Sequence, residues 1–99
     1  MTRDLMEMTQ EIIERNFTIP NKLGLHARAA SLFVQLANRY ESEIYVAKNG
    51  QEVNGKSIMG ILILAAAKDS VITLKISGSD APSAMESLGE LINKGFGEE

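Results

Sequence analysis

The segment Asn21-Lys22-Leu23-Gly24-Leu25-His26-Ala27-Arg28-Ala29-Ala30 holds the only histidine of the chain. It stands where a short strand pattern gives way to a long apolar helix pattern. A residue at a helix start faces backbone N–H groups that have no partner inside the helix. Those groups, with the helix dipole, favour an anion such as a phosphoryl group. Arg28 adds a permanent charge whose forked donors suit phosphate oxygens. A neutral imidazole nitrogen is a usable nucleophile near neutral pH. Singly, each part is commonplace: a lone histidine is more often structural, and Gly24 is an ordinary turn residue. Together they make the segment a candidate anion site with a histidine placed to accept a phosphoryl group.

Upstream, Ile13, Arg15, Phe17 and Ile19 alternate with other residues, which predicts a first strand over 13–20. Pro20 ends it, since proline has no N–H for the ladder. Residues 21–25 form the loop before the histidine. Downstream, Ala30, Phe33, Val34, Ala37 and Tyr40 recur at the spacing of one helix face, predicting a helix over 27–40 that packs on a sheet.

Further on, Ile44-Tyr45-Val46 lies in a second strand over 43–48. Asn49-Gly50 then forms a two-residue hairpin turn, since both residues tolerate positive φ. A short third strand returns over 51–54. Ser57 is a good N-cap for a helix over 58–67. That helix is apolar all round, so some of Ile58, Met59 and Leu62 should stay exposed, and an exposed apolar patch marks a partner surface. Over 71–77, Ile72, Leu74 and Ile76 alternate with Thr73 and Lys75, the pattern of a half-buried strand. Gly78-Ser79-Asp80 reads as a turn with Asp80 as helix cap. Ala84, Met85, Leu88, Leu91 and Ile92 form the buried stripe of a last helix, which Gly95 and Gly97 end.

The order β-α-β-β-α-β-α predicts an α+β fold: a two-layer open-faced sandwich, with a four-stranded antiparallel sheet covered on one face by three helices. The 99 residues suit one domain, over 12–99, preceded by an extension over 1–11 in which Leu5 and Met8 share helical spacing with Ile12.

Composition narrows the function. With no cysteine and one histidine, disulfides and multi-histidine metal sites within the chain are excluded. The polar start Met1-Thr2-Arg3-Asp4 does not read as a signal peptide. The longest apolar run, 58–67, is ten residues and contains Gly60, well short of the ~20 residues of a membrane span. A cytoplasmic protein without membrane insertion is expected. A net charge of −3 argues against general nucleic-acid binding. Its distribution says more: no acid occurs over 15–40 or 53–68, while Arg15, Lys22, Arg28, Arg39, Lys56 and Lys68 fall there. Such a face suits phosphate or acidic partners.

The segment from Leu23 to Ala30 resembles the active-site segment of HPr, the histidine phosphocarrier family of the bacterial phosphotransferase system. Asn54-Gly55-Lys56-Ser57-Ile58-Met59-Gly60 resembles that family's regulatory-serine segment at the family's spacing. The likeness covers roughly 16–97. One departure is Ala29, where the family usually has proline. Proline in a first turn pre-sets φ, so alanine implies a less rigid helix start with function retained.

The resemblance implies a phosphocarrier, not a free-standing enzyme, that needs no cofactor or metal. His26 would take a phosphoryl group on Nδ1 from phosphorylated enzyme I, itself charged by phosphoenolpyruvate. It would pass the group to an EIIA-type protein, with Arg28 stabilising the phosphate. Ser57 would be phosphorylated by the HPr kinase/phosphorylase. Lys56, Ile58, Met59 and Leu62 are candidate partner contacts, and a monomer is expected. Both sugar uptake and a nitrogen-type regulatory relay stay open. One alternative is a regulatory binding protein acting mainly through phosphorylated Ser57, as in relatives that lack the histidine; the presence of His26 disfavours it. A small RNA-binding α/β domain is a second, disfavoured by the negative charge and the lack of paired aromatics on a strand.

Overall fold

Residues Val71–Ser77 alternate between buried and more exposed positions along their whole length, and they form an inner strand of the sheet. The structure, a computed structural model, describes residues 12–98. The expected extension over 1–11 lies outside them, although Ile12 itself opens the first strand. In chain order the elements are β1 (Ile12–Thr18), α1 (Ala27–Ala37), β2 (Glu43–Lys48), β3 (Gln51–Asn54), α2 (Ile58–Leu64), β4 (Val71–Ser77) and α3 (Ala81–Asn93), followed by a 3-10 turn (Gly95–Gly97). The strands pair antiparallel in the order β1-β4-β2-β3. This is the expected α+β open-faced sandwich.

Register follows from burial, because a slip by one residue would turn the apolar set to solvent. Phe17 pairs with Ile72, Ile44 with Ile76, and Val46 with Leu74. All six side chains are buried, and they meet Phe33 of α1, Ile61 and Leu64 of α2, and Leu88 and Ile92 of α3 in one core. Truncating a side chain as enclosed as Phe33 typically costs about 3–5 kcal/mol. Arg15, on the same face as Phe17, stacks its guanidinium 5.0 Å from that ring's centroid.

Several boundaries differ from the sequence expectation. β1 covers Ile12–Thr18, but Ile19 extends the contact with the chain before β4: its N–H donates to Ser70 at 2.9 Å and its carbonyl accepts from Asp69 at 2.7 Å. α1 ends at Ala37, not Tyr40; Tyr40 is half-buried and its hydroxyl bonds Ser87 on α3 at 2.6 Å. Ala29 joins the buried face of α1, which the spacing started at Ala30. α2 ends at Leu64, three residues short of 67, because Ala65 is left-handed at φ 49°. The Lys48 ammonium lies 3.4 Å from the Leu64 and Ala65 carbonyls, supplying a donor that the helix no longer offers them.

Asp80 precedes α3, but its side chain makes no cap bond there. Its carboxylate instead accepts from the Glu41 and Ser42 amides at 2.9 and 3.0 Å and from the Ser42 hydroxyl at 2.5 Å. It therefore pins the α1–β2 loop. The Ser42 hydroxyl first, then the Glu41 amide, hold the Asp80 carboxyl below its ordinary value against the opposing effect of burial.

Candidate functional site

The loop before α1 is held by backbone bonds at both of its ends. Gly24 donates to the Asn21 carbonyl at 3.1 Å, closing a turn, and Leu25 donates to the Ala66 carbonyl at 2.9 Å. Gly24 sits at φ +67°, and a Cβ there would lie 2.4 Å from the Ala66 oxygen. Only glycine meets both conditions without strain. Leu25 is buried beneath the loop, which leaves His26 at the N-cap of α1 in an extended conformation.

The His26 carbonyl accepts the Ala30 amide at 2.8 Å, the first bond of the helix. The amides of Ala27, Arg28 and Ala29 precede it and have no intrahelical partner. The His26 side chain makes no cap bond to them. The expected pairing of a histidine with the free N–H groups of a helix start is therefore present, with Arg28 in the first turn.

A carboxylate that the sequence did not suggest completes the cluster. Glu98 Oε2 lies 2.5 Å from His26 Nε2 and 3.7 Å from Arg28 Nη1. Its other oxygen accepts from Asn21 Nδ2 at 3.0 Å, and the same amide donates to the Gly24 carbonyl at 2.9 Å. Asn21 is buried, and its Oδ1 has no hydrogen-bond partner among the described residues. The bond from His26, then that from Asn21, then the charges of His26 and Arg28 hold the Glu98 carboxyl below its ordinary value, against desolvation. Glu98 is thus ionised and can only accept. The His26 Nε2 that faces it carries the hydrogen between them, so that whenever the ring is neutral its lone pair lies on Nδ1.

Lys22, Leu23, His26, Arg28 and Glu98 line one shallow cleft. The acid-free character of 15–40 is therefore modified in space: one acid arrives from the far end of the chain. Nothing local in Gly95-Phe96-Gly97-Glu98 signals this beyond a helix stop.

Ser57 is the N-cap of α2, and its hydroxyl accepts the Gly60 amide at 3.1 Å. Asn38, just past α1, donates to the Lys56 carbonyl at 3.3 Å, and the Lys56 ammonium donates to the Tyr40 carbonyl at 2.6 Å. Lys56 is thus engaged with the end of α1. His26 opens α1, and Lys56, next to Ser57, bonds the other end of that helix, whose eleven residues span about 16 Å at a 1.5 Å rise. Of the expected exposed residues, Met59 is 64% exposed, Ile58 39% and Leu62 37%. Ile63 and Leu23, not singled out from sequence, are also exposed, at 57% and 65%. Among the described residues, no helix is long and apolar enough to cross a membrane.

The chain matches a family model described as the PTS HPr component phosphorylation site over residues 13–94. It is 52% identical over 87 residues to the phosphocarrier protein HPr of Neisseria meningitidis serogroup A, covering 88% of this chain and 98% of that protein. It superposes on the crystal structure of HPr-C-His from Thermoanaerobacter tengcongensis with a TM-score of 0.85 at 46% identity, over 88% of this chain and 98% of that one. Another structure from that organism, described as an HPr dimer, matches with a TM-score of 0.71 at 46% identity, over 83% and 94% of the two chains. The match over most of the chain and the shared fold settle the family: the chain belongs to the HPr family of phosphocarrier proteins of the phosphotransferase system.

Proposed function

We propose that His26 is the phosphoryl acceptor, receiving the group on Nδ1 from phosphorylated enzyme I and passing it to an EIIA-type protein. The observation that carries this reading is the ring itself: Nε2 is engaged by Glu98, which leaves the Nδ1 lone pair free at a helix start beside Arg28. A carrier must hold phosphate firmly enough to accept it and loosely enough to release it. Free backbone N–H groups and one exposed Arg supply that balance without a metal. Phosphoryl transfer is mostly positioning and charge stabilisation, which two proteins can share across an interface. The carrier is proposed to act as a monomer, in the cytoplasm where phosphoenolpyruvate is available.

Ser57 is the proposed regulatory site for the HPr kinase/phosphorylase. About a helix length from His26, a phosphate there cannot touch the acceptor ring and acts instead on docking. The exposed residues Ile58, Met59 and Leu62 begin at that serine and form the proposed partner surface, with Lys56 at its edge. The presence of His26 favours the carrier over a purely regulatory binding protein.

Incubation with enzyme I and phosphoenolpyruvate tests the acceptor. The parent chain should yield an acid-labile phosphoprotein and His26→Ala none. Equal labelling of the variant would remove His26 from the reaction.

A further inference from the structure

After α3 the chain reverses through three left-handed residues, Gly95, Phe96 and Gly97, at φ +63°, +58° and +78°. Phe96 is not a residue that adopts this conformation freely, and it persists where surrounding packing demands it. Its ring is 1% exposed, and the Glu98 amide donates to the Gly95 carbonyl at 2.9 Å. The tail is therefore anchored, and the anchor delivers the Glu98 carboxylate to the start of α1.

The two oxygens of that carboxylate have separate tasks. Oε1 accepts from Asn21 and Oε2 accepts from His26 Nε2. Asn21 cannot turn its amide over, because its oxygen would then face both the carboxylate and the Gly24 carbonyl, two acceptors. The geometry points to Glu98 as a positioning residue for His26: braced by Asn21, it fixes the ring and keeps hydrogen on Nε2, so that Nδ1 is the nitrogen that takes the phosphoryl group. This deepens, and rests on, the reading of His26 as acceptor.

In the transfer step the Nδ1 lone pair attacks the phosphorus of a phosphohistidine on the partner. A new N–P bond forms while the partner's N–P bond breaks, and that electron pair returns to the partner's ring nitrogen. The His26 ring becomes cationic with its hydrogen still on Nε2, facing the Glu98 carboxylate. Onward transfer reverses the step: the ring keeps the electron pair and becomes neutral again. No proton has to leave or arrive in either direction, and the same carboxylate balances the charged form each time.

The test uses the full chain with phosphoramidate, a small phosphoryl donor that needs no docking surface, and with enzyme I and phosphoenolpyruvate. Phosphorus and nitrogen NMR identify which ring nitrogen is modified. The parent should carry phosphate on Nδ1. Glu98→Ala should give a mixture of Nδ1 and Nε2 products with phosphoramidate, and a rate from enzyme I about tenfold lower, in the range that misorientation of a reacting group produces. Asn21→Ala, which leaves the carboxylate but removes its brace, should shift the product ratio in the same direction. A Glu98→Ala chain that is modified on Nδ1 alone overturns the inference, whether or not its rate falls. His26→Ala serves as the separate control: its labelling would defeat the acceptor reading itself, whereas an unlabelled His26→Ala with an unaltered Glu98→Ala product would defeat only the role of Glu98.

Discussion

The backbone amide of Leu25 donates to the carbonyl of Ala66 at 2.9 Å, tying the residue before the proposed acceptor, His26, to the segment that follows α2. The bond joins the site to the chain at the end of the proposed docking helix, and Gly24 is what permits the approach. In Gly24→Ala the new methyl would fall 2.4 Å from the Ala66 oxygen and 2.9 Å from the Ala67 Cα, at a φ that alanine resists. Strain and overpacking together predict a loss of about 2–4 kcal/mol. For a domain of this size that lowers the melting temperature by roughly 10 °C or more. Phosphotransfer should slow as well. A melting curve matching the parent would show that the loop can yield without cost.

Arg28 should matter to transfer and little to the fold. Its side chain is 63% exposed, and its 3.7 Å approach to Glu98 is a surface ion pair of the solvent-screened kind that contributes little to stability. Arg28→Ala should reduce enzyme I-dependent phosphorylation more than about tenfold, or roughly 1.4 kcal/mol of barrier. Its melting temperature should stay close to that of the parent. Normal transfer with a large loss of stability would make the residue structural.

Ser57 is a helix cap and the proposed switch, and two substitutions separate the roles. Ser57→Ala removes the acceptor for the Gly60 amide and should cost about 1 kcal/mol, with transfer nearly unchanged. Ser57→Asp keeps a capping oxygen and brings charge to the edge of the apolar patch. An acidic partner would then meet a like charge beside contacts that must be desolvated. The expected result is a raised Michaelis constant for enzyme I-dependent phosphorylation with the fold intact. Should Ser57→Asp transfer as well as the parent, charge here is not the switch; should it be unfolded, the serine is only a cap.

Acid should weaken the fold through Asp80 and Glu98. Both carboxyls are held below their ordinary values of 3.8 and 4.5. A carboxyl depressed in the folded state stabilises that state above its unfolded value, and the contribution is lost as pH falls towards the folded one. Urea midpoints should therefore drop as pH is lowered from about 5 through the carboxylate range. Asp80→Asn, which loses the ionised acceptor of the Glu41 and Ser42 amides, should be less stable at neutral pH and show a shallower acid limb. Parallel pH curves for parent and variant would count against this account.

What the sequence by itself determined is local. Asn49 and Gly50 take φ of 52° and 85°, both positive, as the two-residue hairpin requires. Ser57 caps its helix through a donor three residues away, and His26 stands where the strand pattern stops and the helix pattern starts. Alternation over 71–77 marks the inward face of β4 because side chains on a strand must point to opposite sides. Each of these depends on dihedrals and bonds within a few residues, or on a periodicity set by backbone geometry.

The tertiary structure decided what pairs across the chain. α2 stops at Leu64, and the carbonyl of Ala66 beyond it is bonded to Leu25. Asp80, a cap by position, turns to the Glu41 and Ser42 amides across the fold. Glu98 reaches His26 from 72 residues away, because a buried Phe96 forces the tail to reverse after α3. A hydrogen-bonding group takes whichever partner the packed core brings within reach, and the core is assembled from faces far apart in sequence. Periodicity can show that a face is apolar, but which polar groups meet at its edge is settled only when the layers close.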